Sequence, residues 1–111
     1  MIEKTIFDYL KKRLDVPVFL EYPVDELGTF VLFEKTSGAK SNYLPSATFA
    51  FQSYAPSLFE SAELNEKLKY VVEQMIELDV IRSINLNSDY NFTDTTTKEY
   101  RYQAVYEIGY Y

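Results

Sequence analysis

The sequence contains no cysteine and no histidine. Without them there is no thiolate nucleophile, thiolate zinc site, imidazole base or imidazole metal ligand, so the commonest catalytic constellations are excluded. Tryptophan is absent as well, and glycine is scarce, with only 3 in 111 residues. No Gly-rich phosphate loop, nucleophile elbow or metal-spaced cluster can be found, so the expectation is a protein that is not an enzyme and holds no cofactor or metal. The N-terminal stretch MIEKTIFDYLKKRLD alternates apolar and charged residues and lacks the apolar run that a signal peptide or membrane span requires. The expectation is a protein made and kept in the cytoplasm, without membrane contact. An excess of positive charge is also missing. A net charge of -6 and a pI near 4.6 argue against specific nucleic-acid binding, whose usual footprint is a basic face.

Aromatic and apolar residues are plentiful: 47% of the chain is hydrophobic and 17% aromatic, including 11 Tyr and 8 Phe. That content suits one domain over residues 1–111, burying roughly two-thirds of its unfolded surface without disulfides or metal. Amphipathic rings serve equally well on a half-buried sheet face and at a protein interface.

Ile2, Ile6, Leu10 and Leu14 recur at helical spacing opposite Glu3, Lys4, Asp8, Lys11 and Lys12, which predicts an amphipathic helix that Pro17 ends. Lys11, Lys12 and Arg13 complement its dipole at the C-terminal end. Residues 17–22 read as a strand, 23–28 as a polar turn, and 30–35 (FVLFEK) as a strand apolar on both faces. The Ser/Gly/Lys/Asn stretch 36–43 reads as an exposed loop. The next strand, 45–54, pairs back on 30–35 as a hairpin, with Ala47, Phe49, Phe51 and Ser53 on one face and Thr48, Ala50, Gln52 and Tyr54 on the other.

Ser57-Leu58-Phe59-Glu60 is a capping box that starts a second helix, ending near Asp79. Its expected buried stripe is Leu58, Ala62, Leu68, Val71, Val72, Met75 and Leu78, with glutamates on the remaining surface. Residues 80–87 form a fourth strand and 88–97 a polar connection. In the last strand, 98–108, Tyr100, Tyr102, Ala104, Tyr106 and Ile108 alternate with Glu99, Arg101, Gln103, Val105 and Glu107. The predicted class is α+β with the order αβββαββ, a mostly antiparallel or mixed sheet, and two helices packed on one face.

Asp25 and Glu26 could divide acid and base roles only if burial separated their pKa values, and a polar turn does not provide that burial. Asp89, Asn91, Thr93 and Asp94 have the oxygen-rich spacing of a calcium loop. Asp94 stands where such a loop needs glycine, and Tyr100 where it needs a bidentate acid, so a turn between strands is the better assignment.

The segments FVLFEKTSG, ATFAFQSYAPSLFESAEL and SDYNFTDTTTKEYRYQAVYEI, in this order over nearly the whole chain, resemble the tail terminator (tail completion) proteins of siphophages and their prophages. Phe51-Gln52-Ser53-Tyr54-Ala55, Ala62-Glu63 and Tyr100-Arg101-Tyr102-Gln103-Ala104 carry most of it. The resemblance implies a virion structural protein at the head-proximal end of the tail. It would form a homo-oligomeric ring, typically hexameric, that stops tail-tube polymerisation and presents a surface for head–tail joining. Its partners would be itself, the major tail tube protein and the head–tail connector, with DNA passing through the ring without specific binding. Alternatives are another phage neck protein such as a head-completion protein, or a cytosolic small-ligand-binding α+β domain with Tyr100, Tyr102 and Tyr106 around a pocket. The candidate interface residues are Ser37, Lys40, Asn42 and Tyr43 of the exposed segment, and Arg101 on the strand face opposite the tyrosines.

Overall fold

A computed structural model describes residues 1–24 and 28–111. The Asp25–Glu26 pair considered above lies outside the described residues. The chain is an α+β domain with the expected order: α1 (Ile2–Arg13), β1 (Val18–Phe19), β2 (Phe30–Ser41), β3 (Leu44–Tyr54), α2 (Leu58–Gln74), β4 (Ile81–Asn91) and β5 (Arg101–Tyr110). The strands form one sheet in the order β1-β2-β3-β5-β4. β1 runs parallel to β2 and every other neighbour is antiparallel, so the sheet is mixed.

Both helices pack on the same face. Ile6 and Leu10 of α1, and Leu64, Leu68 and Val72 of α2, meet Phe33, Phe49, Phe51, Tyr106 and Ile108 of the sheet in one core. The rings interlock there: Phe33 stacks on Phe51 at 5.4 Å between centroids, and Tyr106 meets Phe51 edge-on at 6.0 Å. The capping box forms, with the Glu60 amide donating to Ser57 Oγ at 3.2 Å and the Ser57 hydroxyl donating to the Glu60 carboxylate at 2.9 Å.

The buried stripe of α2 is rotated from the expected one. Ser61, Leu64, Asn65, Leu68 and Val72 face the sheet, while Leu58 is exposed. Two polar residues take inward positions because each finds a partner: Asn65 donates to the Asp89 carboxylate on β4 at 2.7 Å, and Ser61 donates back to the Leu58 carbonyl of its own helix at 2.8 Å. α2 stops at Gln74 and a 3-10 turn, Met75–Glu77, buries Met75.

Three further boundaries differ from the sequence-based expectation. β1 is only two residues long, because its parallel pairing reaches only Val31 and Leu32. β4 continues to Asn91, since Asp89, Tyr90 and Asn91 pair with Ala104, Gln103 and Tyr102; the connection to β5 is correspondingly shorter and β5 begins at Arg101. The largest difference concerns residues 36–43, which are not an irregular loop. They extend β2 to Ser41, where Ser41 pairs with Leu44 across a two-residue turn.

Candidate functional site

The turn at the tip explains how a polar, non-periodic stretch becomes strand. Asn42 and Tyr43 both have positive φ, 52° and 66°, the pair of left-handed conformations that makes a type I′ hairpin turn and matches strand twist. Asn reaches this region readily and Tyr does not. The ladder continues from Ser37–Thr48 to Ser41–Leu44, with a bulge at Thr36 where the register shifts. β2 is exposed from Glu34 to Ser41, and Tyr43 at the tip is 89% exposed. The result is an arm, the outer half of the β2–β3 hairpin, in which β3 keeps β5 as a neighbour as far as Ser46 and only Lys40–Pro45 projects as two strands alone, on a molecule that measures 44 by 25 by 24 Å.

Ser37, Lys40, Asn42 and Tyr43 all lie on this arm and are brought together as expected, although as strand and turn. Lys40 has no ion pair among the described residues. Arg101 is not part of this group. It pairs with Tyr54, at the end of β3 remote from the tip, and the two ends of β3 stand about 30 Å apart at ~3.3 Å per residue.

Around Arg101 the structure builds a second surface on the face of the sheet without helices. Arg101 donates from Nε to the Phe92 carbonyl at 2.8 Å and from Nη1 to Tyr54 Oη at 2.9 Å, with Glu99 at 3.5 Å. Its guanidinium also lies over the Phe92 ring, 4.6 Å from the centroid. The Tyr54 hydroxyl donates to Gln52 Oε1 at 2.9 Å, Gln52 Nε2 donates to Gln103 Oε1 at 2.7 Å, and Gln103 donates in turn to the Tyr90 hydroxyl. The donors all point one way, from Arg101 across β3 and β5 to Tyr90 on β4, so each member is satisfied by its neighbour. The last hydroxyl keeps a proton that no described residue accepts, on a side chain that is 40% exposed.

Tyr54 is buried between the stacked ring of Phe30, at 4.5 Å, and the edge of Tyr22, at 5.8 Å. Burial pushes its hydroxyl pKa up, against the opposing pull of Arg101. Tyr22 donates to the Glu99 carboxylate, and this bond, reinforced by burial, raises its pKa to about 12. Strand alternation placed Gln52, Tyr54, Arg101 and Gln103 on the face away from the core rings. It could not show that Gln52 sits opposite Gln103 and Tyr54 opposite Arg101, because that register joins strands 51 and 47 residues apart in sequence.

The tyrosines of β5 do not share a pocket. Tyr106 is fully buried in the core, where its hydroxyl donates to Glu73 at 2.6 Å, and burial followed by that carboxylate raises its pKa. Tyr100 lies outside β5, beside a cleft of about 230 Å³ lined by Tyr22, Phe30 and Tyr54. The segment compared above with a calcium loop is committed elsewhere: Asp89 holds Asn65 and Lys69 of α2, and Asp94 caps a turn by accepting from the Thr96 amide at 2.9 Å. Among the described residues no cluster of three or more acidic side chains could hold a metal ion, and no helix is long and apolar enough to cross a membrane. A comparison with protein-family models finds no match, and a comparison with curated proteins finds none either.

Proposed function

We propose that this chain is a tail terminator of a long-tailed phage: it assembles into a ring, on the order of six copies, at the head-proximal end of the tail tube, stops tube growth and offers a surface for head joining. One observation supports this most, the arm formed by Glu34–Ser41 and Leu44–Thr48, an ordered ladder in which β2 is exposed from Glu34 to Ser41. Ala47 of β3 reaches the core, but the β2 strand of this pair buries almost nothing within its own chain. It gains its packing when a second molecule covers it.

A ring needs one surface for each of two neighbours, and a terminator needs two more for tube and connector. The arm, the two sheet edges, the polar helix-free face and the acidic outer face of α2 are distinct surfaces of one small domain. Their number agrees with a protein whose work is contact. The net charge of -6 also suits a channel through which DNA slides without adhering.

The test is co-expression with a siphophage tail tube protein, followed by electron microscopy. Tubes of limited length carrying a ring at one end are the expected result. Tubes that grow unchanged with bare ends would overturn the proposal, and binding to filled heads in place of tube ends would indicate a different neck component.

A further inference from the structure

The sheet has two unpaired edges. Beyond Leu32 no described strand pairs with the outer side of β2, so from Phe33 to Ser41 that side of the ladder is open. At the other margin β4 is the last strand, and its outer side is open from Ile81 to Asn91. The open edges span nine residues in β2 and eleven in β4, roughly 30 and 37 Å at ~3.4 Å per residue, so the β4 edge is long enough to cover that of β2. Exposed ladder groups of this length recruit a strand when one of suitable direction is available.

We infer that copies of this chain join edge to edge, the outer edge of β2 in one copy adding as an antiparallel strand to the outer edge of β4 in the next. Direction favours this pairing. β2 and β5 run one way and β3 and β4 the other. If all copies share one orientation around an axis, β2 of one lies antiparallel to β4 of the next, and every helix layer stays on the same side of the extended sheet. Two β2 edges could meet antiparallel only after one copy is turned over, a two-fold contact that ends at a dimer.

Charge favours it as well. α1 lies over the β2 margin, where Glu3 approaches Lys35, and on α1 cations (Lys4, Lys11, Lys12, Arg13) outnumber acids (Glu3, Asp8). α2 packs across β3 and β5 and reaches the β4 margin through Asn65 and Lys69, which hold Asp89. Its Glu60, Glu63 and Lys67 border Asp15 and Thr29 on the opposite side, so the charge at the β4 margin is Glu66 and Asp89 around Lys69, net acidic. Edge pairing in one orientation brings the basic margin of one copy against the acidic margin of the next; turning one copy over opposes like margins. The unspent hydroxyl proton of Tyr90 falls at the same seam. The bulges at Thr36 in β2 and at Arg82 and Asn87 in β4 bend both edges, so a flat foreign strand fits less well than the matching edge of a second copy.

This joint rests on the ring proposal for the expectation that copies associate, and a chain without cysteine allows the two to be tested separately. Ser37 and Asn85 are exposed and belong to one row across the sheet, Ser37–Thr48–Glu107–Asn85, on the helix-free face. Ser37→Cys, Asn85→Cys and the double variant are treated with a short bismaleimide, alone and on tail-tube ends, after thermal melting shows that each folds. The double variant should give a ladder of covalent oligomers, an equimolar mixture of the single variants a dimer, and each single variant alone only monomer. Efficient dimerisation of Ser37→Cys by itself would overturn the inference in favour of β2–β2 contact. Rings seen by microscopy without a ladder would overturn the edge joint and leave the terminator proposal standing. A ladder from protein that ignores tube ends would support the joint and remove the terminator proposal, and absence of both ladder and rings would remove both.

Discussion

At the Phe30 end of the β2–β3 hairpin the strands are buried on both faces: Phe33, Phe49 and Phe51 enter the helix-covered core, while Phe30 and Tyr54 stack on the opposite side. At the Leu44 end, past a bulge at Thr36, β3 still pairs with β5 as far as Ser46 and buries Ala47, whereas β2 is exposed from Glu34 onward. Backbone pairing is shared by both ends, so it is not what distinguishes them. The difference teaches that the inner half carries the stability of the domain through apolar contact, while the outer half holds a shape whose use lies outside the chain.

The contrast predicts a graded series. Phe51→Ala opens a cavity among Phe33, Phe49 and Tyr106 and should cost about 3–5 kcal/mol in denaturant unfolding; a loss under 1 kcal/mol would show that the inner half is not the stabilising one. Arg101→Ala leaves Tyr54 and the Phe92 carbonyl short of a donor and should cost about 1–3 kcal/mol, with the loss of ring assembly following from the loss of fold. Arg101 thus braces the domain through Tyr54 and Phe92, and a contact with a second chain would be an additional role. Tyr43→Gly removes the left-handed strain at the tip and converts the turn to Asn-Gly, so stability should rise by about 1 kcal/mol while assembly weakens. A fall in both would mean that the tip conformation is no burden to the free molecule.

Alkaline titration should separate Tyr22 from the core rings. Its pKa is higher folded than unfolded, so its bond to Glu99 contributes fully below about pH 10, the ordinary tyrosine range, and is lost as pH rises through about 12. Tyr22→Phe should therefore flatten part of the fall in melting temperature between those limits, and an unchanged slope would assign the fall to Tyr9, Tyr54 and Tyr106, whose hydroxyls burial also pushes up. Smallest in stability is Lys40→Glu, which should stay within about 0.5 kcal/mol of the parent. Its effect should appear only as weaker self-association by light scattering.

The helices, the order of elements along the chain and the capping box were legible in the sequence because each rests on patterns within a few residues: the four-residue repeat from Ile2 to Leu14, or Ser57 with Glu60. The arm was not, because Thr36–Ser41 has no alternation and only Thr36 as β-branched content to mark it as strand. It is held there by pairing with Leu44–Thr48 and by a turn in which Tyr occupies a position usually given to Gly. The rotated stripe of α2 was hidden for a related reason. Asn65 is inward only because Asp89, on a strand formed later in the chain, meets it. Of the candidate site, alternation gave the face that Arg101 and Gln103 occupy, and the register that links them to Tyr54 and Gln52 came from the sheet alone.

The two-residue turn at Asn42–Tyr43 leaves no slack at the tip. The length of the arm can then change cleanly only by whole rungs, one residue added to each strand, and each rung reverses which side the tip side chains point to. Two rungs restore the original sense and carry the tip outward by about 7 Å. Related chains that set a neighbour at a different distance should accordingly differ here in even steps, which makes the arm a ruler with parity and the tyrosine at its end the mark that must face the same way.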